Sequence, residues 1–502
     1  MCGIIGVISN NNAPFKAIAG LKRLEYRGYD SWGISFKNCD HLETIREVGR
    51  IKIPERGTLN HNSYAAIAHT RWATHGKVTK ENAHPHKSND GEFIIAHNGI
   101  VENYVRLKKD LEQKGFTFYS QTDSEVIVNL IQYNYSDTKN FTQAVKKTIS
   151  MLDGSYAIVC MHNKSFEMVC ARNGSPLVIG VGDHEFFAAS DVSAFLQYTK
   201  KVIYLKDNEL AVLGKDVTIT DLATGGVVEP VIKEIAWTAE QAEKGEYEYF
   251  MLKEINEQPQ TIQRAGEQDA EKLEKITQMI KDAKGVFFVG CGTSYHSCIT
   301  ASYLFSSVAK MHVNTVIASE FRNYEDFLKP ETLIIAVSQS GETADVLDAV
   351  KAARSKGSKV VSIVNVMDST LMRHSDESLL MNSGPEICVL STKTYTSQLA
   401  LLTLLCYSVA GRMDEGKKIV KAAAEKSRHV LEYSQPIAKE LAKKLSGAKD
   451  FFLIGRDLAY PSAIEGALKI KEVSYIHAEG FPGGELKHGS IALIEEGVPA
   501  IV

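Results

Sequence analysis

The chain opens on an unbroken apolar run, Gly3-Ile4-Ile5-Gly6-Val7-Ile8, which predicts a buried strand. Helical spacing follows over Pro14–Leu24 and is broken by the loop Tyr26-Arg27-Gly28-Tyr29-Asp30-Ser31. Ala65–Thr70 and Phe93–Ala96 predict two more strands, the second running into His97-Asn98-Gly99. Strand-like alternation continues through Ser155–Cys160, Phe166–Cys170, Leu177–Val181 and Val202–Leu205, and a Thr- and Gly-rich segment, Thr218–Gly226, closes the region. From Trp237 the text turns Glu/Lys-rich and helical, which predicts a linker and then a first helix ending near Ile255. Beyond Gly285 the pattern changes to continuous apolar strand, Gly/Ser turn, helix. It repeats at Val286–Gly290 and Leu333–Val337, with Val360–Val364 as a third strand. Apolar strands alternating with helices predict a parallel, doubly wound sheet. The unit then restarts, with Phe451–Arg456 echoing Phe287–Cys291 and Gly455 lying 165 residues after Gly290.

Length and charge narrow this picture. At 502 residues, and roughly 150 residues per domain, about three domains are expected. A hydrophobic fraction of 44%, a charged fraction of 24% and a net charge of −4 describe an ordinary globular protein, with no electrostatic reason to expect nucleic acid or an anionic membrane as partner. The text holds no run of about 18 apolar residues and no basic segment of the secretory kind. Eight cysteines without paired spacing suggest reduced thiols and a cytoplasmic protein.

The first region carries chemistry. Removal of Met1 would leave Cys2 with a thiol and a free α-amine, which titrate near pH ~8.5 and ~8. The amine can then take the thiol proton, the N-terminal form of a nucleophile with an adjacent base. Arg27 is a candidate to raise the positive potential there. Five histidines between His69 and His97 invite a metal reading, but no cysteine lies nearby and the spacing is not that of a zinc site, so no metal is expected. Asn98-Gly99 is both a hairpin-turn signal and a pair of donors able to form an oxyanion hole. Arg71 offers a fork for a carboxylate, and Asp123 either an anion for an amine or simply a helix N-cap. Together these suit hydrolysis of an amide carried by an amino acid.

Met1-Cys2-Gly3-Ile4, Tyr26–Ser31, Arg71-Trp72-Ala73-Thr74-His75-Gly76, His97-Asn98-Gly99 and Thr122-Asp123-Ser124-Glu125 together resemble the class II glutamine amidotransferase domain, over residues 2–216. The resemblance implies an αββα sandwich of the N-terminal-nucleophile hydrolase class. It also implies Cys2 as nucleophile, Asn98 and Gly99 as oxyanion hole, and Arg71, Trp72, Thr74, His75 and Asp123 around bound glutamine, with Arg27 beside them.

In the second half, Cys291-Gly292-Thr293-Ser294 and Ser338-Gln339-Ser340-Gly341-Glu342-Thr343 present hydroxyls and amides at predicted helix N-termini, where anions are stabilised. The loop Leu390-Ser391-Thr392-Lys393-Thr394 would add hydroxyls and a cation. Neither a phosphate-binding G-x-x-x-x-G-K-[ST] nor a dinucleotide G-x-G-x-x-G is found, so a phosphomonoester is the better ligand. Helix capping explains one such turn readily, and three less so. The predicted helix Ser462–Tyr475 sets Glu465, Lys469 and Glu472 on one face, either as a solvent-exposed pair or as part of a site. Gly483–Gly489 adds an acid, a cation and His488 on a glycine-hinged loop.

These segments resemble the paired sugar isomerase (SIS) domains of the glutamine–fructose-6-phosphate aminotransferase family. The resemblance implies a linker at 217–240, a first SIS domain at 241–430 with its core at 284–424, and a second, incomplete, at 446–502. It implies that Thr293, Ser338, Gln339, Ser340 and Thr343 hold the phosphate, with Cys291, Gly292 and Ser294 in the same turn, and that Ser391, with Val389, meets the sugar. Glu472 would be the base that moves a proton between C1 and C2, with Lys469 beside it, and His488 the ring-opening group, donated across a homodimer interface. Glutamine and fructose 6-phosphate are the implied substrates, and neither cofactor nor metal is called for. The family's chain continues into a tail whose lysine assists isomerisation, whereas Val502 corresponds by the repeat to Val337, the end of a second strand. On that reading the chain is expected to hydrolyse glutamine and to make little glucosamine 6-phosphate. The competing function is a glutaminase regulated by a non-catalytic sugar-phosphate sensor, which would need the turns but not Glu472 and His488.

Overall fold

The computed structural model describes residues 2–25, 28–38, 41–53, 59, 62–72, 76–235 and 244–502. They fall into two compact units, Met1–Ala242 and Glu243–Val502.

The first unit stacks two sheets between helices. One sheet has eight strands, ordered Lys233–Glu234, Lys201–Tyr204, Val178–Val181, Glu185–Ala189, Gly3–Ser9, Ala65–Arg71, Ser31–Asn38, His41–Val48. The other has seven, with Met168–Asn173 in the middle and Gly154–His162 beside it pairing antiparallel with Phe93–Val101. Residue alternation builds the layers. Ile5 and Val7 pack under the helix Ala13–Arg23, while Ile4 faces a second core shared with Ile94, Ala96, Val159 and Met168 of the other sheet. Phe93 and Ile95 face a third core under the helices Tyr104–Gln113, Ser124–Thr138 and Phe141–Ile149. The result is the expected αββα sandwich. The opening run is unbroken because both faces of its strand are covered. Gly6 lets the sheets close, since a Cβ there would lie 2.8 Å from Val159 Cγ1.

The second unit carries a five-stranded parallel sheet, ordered Asn314–Ile317, Gly285–Gly290, Thr332–Ser338, Lys359–Val364, Glu377–Leu380. Cores on both faces make it doubly wound. In chain order this is 2-1-3-4-5, so the winding reverses between Gly285–Gly290 and Thr332–Ser338, where ligands bind in such folds. The two hydroxyl-rich turns leave the sheet from these two strands.

A smaller parallel sheet follows, ordered His477–Pro482, Asp450–Gly455, Ala500–Ile501, with the helix Ala459–Ser474. The repeat holds at the level of register: Phe452 pairs Glu479 as Phe287 pairs Asn314, both partners lying 165 residues further on. One expectation needs correcting. The sheet has three strands rather than two, because His477–Pro482 and its counterpart Asn314–Ile317 are short and mixed in polarity and give little apolar signal.

Candidate active sites

Strand register assembles the first site. Gly3 pairs Thr70 across neighbouring strands, which brings Cys2 to the end of Ala65–Arg71. The Trp72 amide donates to Cys2 Sγ at 3.2 Å. Burial pushes the Cys2 thiol up, and the Trp72 amide and Arg71 pull against it. The Arg71 guanidinium, itself buried, lies within electrostatic reach of Cys2, Asp30 and Asp123. The Trp72 ring, 40% exposed, meets Tyr29 edge-on at 5.1 Å.

Asn98 is aimed by its neighbours. His69 Nε2 lies 3.1 Å from Asn98 Oδ1. An amide oxygen only accepts, so the histidine proton sits on Nε2, which turns Asn98 Nδ2 toward the Cys2 carbonyl at 3.0 Å. Gly99 follows with φ +134, and a side chain there would collide with the Ser155 carbonyl. The Asn-Gly pair lies inside the strand Phe93–Val101, opposite Ala157 and Tyr156, and not in a hairpin turn.

Asp123 stands at the N-terminus of Ser124–Thr138 but makes no side-chain cap. Its Oδ2 accepts the Val101 amide at 2.8 Å, and its Oδ1 takes the Ser124 hydroxyl at 3.3 Å. Ser124 in turn meets His97 Nδ1 at 2.8 Å. The carboxylate therefore pins the strand that carries Asn98 and Gly99.

The histidines form a stacked core. His69 and His84 lie 4.2 Å apart, His84 and His86 4.5 Å. Burial holds His69 down to about 3 and lowers His84, His86 and His97 as well. Their ring nitrogens bond Asn98, the His97 amide, Thr122, Tyr119 and Ser124. Among the described residues no group of three potential metal ligands is found. Arg27, Thr74 and His75 lie outside the described residues.

The second site lies at the switch point. Thr293 opens the helix Thr293–Leu304, and Gly292 before it has φ +52. Thr293 Oγ1 donates to Glu465 Oε1 at 3.0 Å and accepts from Lys469 Nζ at 2.9 Å. His296 Nδ1 meets Glu465 Oε2 at 2.7 Å. Lys469 Nζ also reaches Glu465 Oε1 at 3.2 Å, Glu472 Oε2 at 2.8 Å and the Ser391 carbonyl at 3.3 Å. The helix Ala459–Ser474 thus packs its charged face against the first sheet's turn, and Glu465 is 4% exposed. The solvent-exposed reading of this face is corrected.

In the neighbouring turn Ser338 Oγ sits 3.1 Å from Thr343 Oγ1 and accepts the Gly341 amide at 3.1 Å. Gly341 needs its φ of +64, and a Cβ there would collide with Ser369 Oγ. Ser340 Oγ accepts the Glu342 amide at 3.2 Å, and the Gln339 carbonyl accepts the Asn365 amide at 3.0 Å.

Other members are placed differently. Ser294 Oγ accepts from Gln398 Nε2 at 3.1 Å, inside the domain. Cys291 is half-buried, and burial pushes its thiol up. Val389 is 64% exposed. Lys393 is not the free cation expected of its loop: it is 2% exposed and pairs with Glu257 at 2.6 Å. His488 is exposed, and its imidazole makes no hydrogen bond or ion pair among the described residues. The sequence reading missed His296, whose one-turn spacing from Thr293 was the available signal, and the part played by His69 in aiming Asn98.

The comparisons agree with this layout. The glutamine amidotransferase domain family matches residues 69–197, and the SIS domain family matches 279–408 and 444–502. The glutamine–fructose-6-phosphate aminotransferase [isomerizing] of Thermococcus kodakarensis is 45% identical over 518 residues, covering 100% of this chain and 85% of that protein. The protein of the same description from Pyrococcus horikoshii is 45% identical over 511 residues, with 100% and 85% covered. Among solved structures, the C-terminal domain of glucosamine-fructose-6-phosphate aminotransferase from Francisella tularensis aligns at TM-score 0.47 and 34% identity, over 51% of this chain and 76% of that one. Identity at this level along the whole length shows that the chain belongs to the glutamine–fructose-6-phosphate aminotransferase (isomerizing) family.

Proposed function

We propose that the chain moves the side-chain amide nitrogen of glutamine onto fructose 6-phosphate and isomerises the product to glucosamine 6-phosphate. Residues 2–216 would carry the glutaminase, and the SIS repeats beyond the 217–240 linker the sugar chemistry. The observation that carries this reading is the pairing, in one chain, of two unlike sites: a thiol beside aimed amide donors, and an acid–lysine cluster beside hydroxyl-rich turns.

With Met1 removed, the Cys2 α-amine takes the thiol proton and the thiolate attacks the glutamine amide carbon. The Asn98 side-chain amide and the Gly99 backbone amide stabilise the oxyanion, ammonia leaves, and water later releases glutamate from the thioester. Arg71, Trp72, Thr74, His75 and Asp123 hold the amino acid, Arg71 at its carboxylate and Asp123 at its amine.

Thr293, Ser338, Gln339, Ser340 and Thr343 hold the sugar phosphate, and Ser391 the sugar. Ammonia adds to C2 of the open-chain ketose and water leaves as the imine forms. Glu472 then takes a proton from C1 and returns it to C2, with the Lys469 ammonium paired to its carboxylate at 2.8 Å. An exposed His488 suits a group offered to the site of a second copy, so the working form is a homodimer, placed in the cytoplasm with its free metabolites. Among the described residues no helix is long and apolar enough to cross a membrane. Shared descent with transferases, and the presence of Glu472 beside Lys469, favour transfer over a sensor.

The test uses glutamine labelled with heavy nitrogen in its side-chain amide, together with fructose 6-phosphate. Label is expected in glucosamine 6-phosphate. Label confined to free ammonia would overturn the transfer reading.

A further inference from the structure

The loop that carries Ser391 is tied down by acids that the proposed chemistry does not use. Glu254, on the helix Phe250–Gly266, is 2% exposed. Its Oε1 accepts two consecutive loop amides, Ile387 at 2.6 Å and Cys388 at 3.0 Å. Its Oε2 is buried with no hydrogen-bond partner among the described residues. Further along, the Glu386 carboxylate accepts the Thr392 amide at 2.9 Å, the Thr394 amide at 3.2 Å and the Thr394 hydroxyl. Lys393 closes the set through Glu257, one turn beyond Glu254. Between these anchors the Ser391 carbonyl accepts Lys469 Nζ at 3.3 Å. The loop backbone is therefore one wall of the cluster that holds Lys469 beside Glu472.

We propose that Glu254 is a positioning residue for the sugar site: by gripping the Ile387 and Cys388 amides it sets the loop so that the Ser391 carbonyl meets Lys469. This rests on the sugar-site reading above. The grip is linked to protonation. The groups that face Glu254 are Glu386 and Cys388 from the loop and Lys393 from the helix Lys393–Val409, with Glu257 on its own helix engaged by Lys393. Burial, and then the nearby Glu386 carboxylate, push Glu254 up to about 7, against the two loop amides and Lys393. A carboxyl raised in this way binds more protons when the loop is held than when it is released. The held loop therefore loses stability as pH rises from the ordinary 4.5 to about 7 and changes little above that.

The experiment measures fructose 6-phosphate binding by calorimetry between about pH 5.5 and 8, and amide exchange at Ile387 and Cys388, in the parent, Glu254→Gln and Glu254→Ala. Glutamine keeps an acceptor oxygen and cannot ionise. It is expected to match the parent near the acid end and to lack the parent's weakening, up to about tenfold, toward pH 7.5. The sugar phosphate titrates alike in both, so the difference between them isolates Glu254. Alanine, which cannot ionise either, is expected to speed exchange of both amides and to run about tenfold weaker than Glu254→Gln across the whole pH range, as loss of two buried hydrogen bonds requires. Glutamine hydrolysis should be unchanged in both variants. A Gln variant that follows the parent's pH curve overturns the linkage. An Ala variant with a loosened loop and undiminished binding overturns the positioning role. If the parent binds no fructose 6-phosphate while alanine still loosens the loop, the sugar-site reading has failed and the proposal with it, although the grip itself stands.

Discussion

The two candidate sites are built from opposite materials. Around Cys2 the buried polar groups are mostly neutral: four described histidines held below their ordinary range, an amide aimed by one of them, and backbone donors set by strand register. Around Thr293 the groups are charged, with Lys469 lying 3.2 Å from Glu465 and 2.8 Å from Glu472 along one helix face. Antiparallel strands place a main-chain or short side-chain donor closely, so charge need not be present before the reaction creates it. A helix face delivers long, flexible side chains, and there ion pairing does the positioning. The first site should therefore be sensitive to acid and to small steric changes, and the second to loss of single charges.

The sharpest break in the comparison is Cys2→Ala. Glutamine hydrolysis should fall by about 10⁴-fold or more, while fructose 6-phosphate binding is unchanged, because Cys2 lies in one compact unit and the sugar cluster in the other. Equal hydrolysis by variant and parent would remove the thiol from the chemistry.

Acid should separate the two units next. His69 titrates at about 3 when folded, against the ordinary 6.5. A base depressed on folding gives stability that is complete above 6.5 and is lost as pH falls below it. At pH 5 His69 alone costs about 2 kcal/mol, and His84, His86 and His97 shift the same way. Hydrogen exchange at pH 5 should show Ala65–Arg71 and Phe93–Val101 losing protection before Gly285–Gly290 and Thr332–Ser338 do. The reverse order would show that the histidine core does not govern the first unit.

Legibility follows the same divide. The parallel sheet could be read because its strands are buried on both faces and appear as apolar blocks, whereas the αββα layers were expected only through the family resemblance that the motifs carry. Asn98-Gly99 was visible as a donor pair, but its place inside a strand was not, since the same dipeptide is a turn signal and only pairing with Ala157 and Tyr156 decides. The histidine cluster invited a metal reading that its spacing argued against, but its stacked packing was not legible, because count and spacing carry no information on stacking. Glu465 looked like half of a surface pair, because its burial comes from Thr293 and His296, about 170 residues earlier. Lys393 looked free for the same reason, its partner lying on a helix before the sheet. Local pattern reports what an element buries, and not which distant element covers it.

A third test sharpens the neutral side. Asn98→Ala should lower glutamine hydrolysis by about 10²–10³-fold, the usual cost of one oxyanion donor. His69→Ala should cost less, since it releases the amide from its orientation without removing it. If His69→Ala were the more damaging of the two, the imidazole would be acting on the substrate and not through Asn98.

The smallest effect is the most informative about the second site. Ser338 and Thr343 already bond each other at 3.1 Å, so each hydroxyl has a partner before any phosphate arrives. Removing one alone leaves the other to rotate toward the ligand, and the loss should be at the low end of ~0.5–1.5 kcal/mol for a neutral hydrogen bond. Removing both should cost more than the two single losses together, because no hydroxyl is then left to rotate toward the ligand. Calorimetric titration of fructose 6-phosphate against Ser338→Ala, Thr343→Ala and the double variant gives the three values. Strict additivity would mean that the hydroxyls meet the phosphate independently. An unchanged affinity in the double variant would move the phosphate away from the switch point between Gly285–Gly290 and Thr332–Ser338.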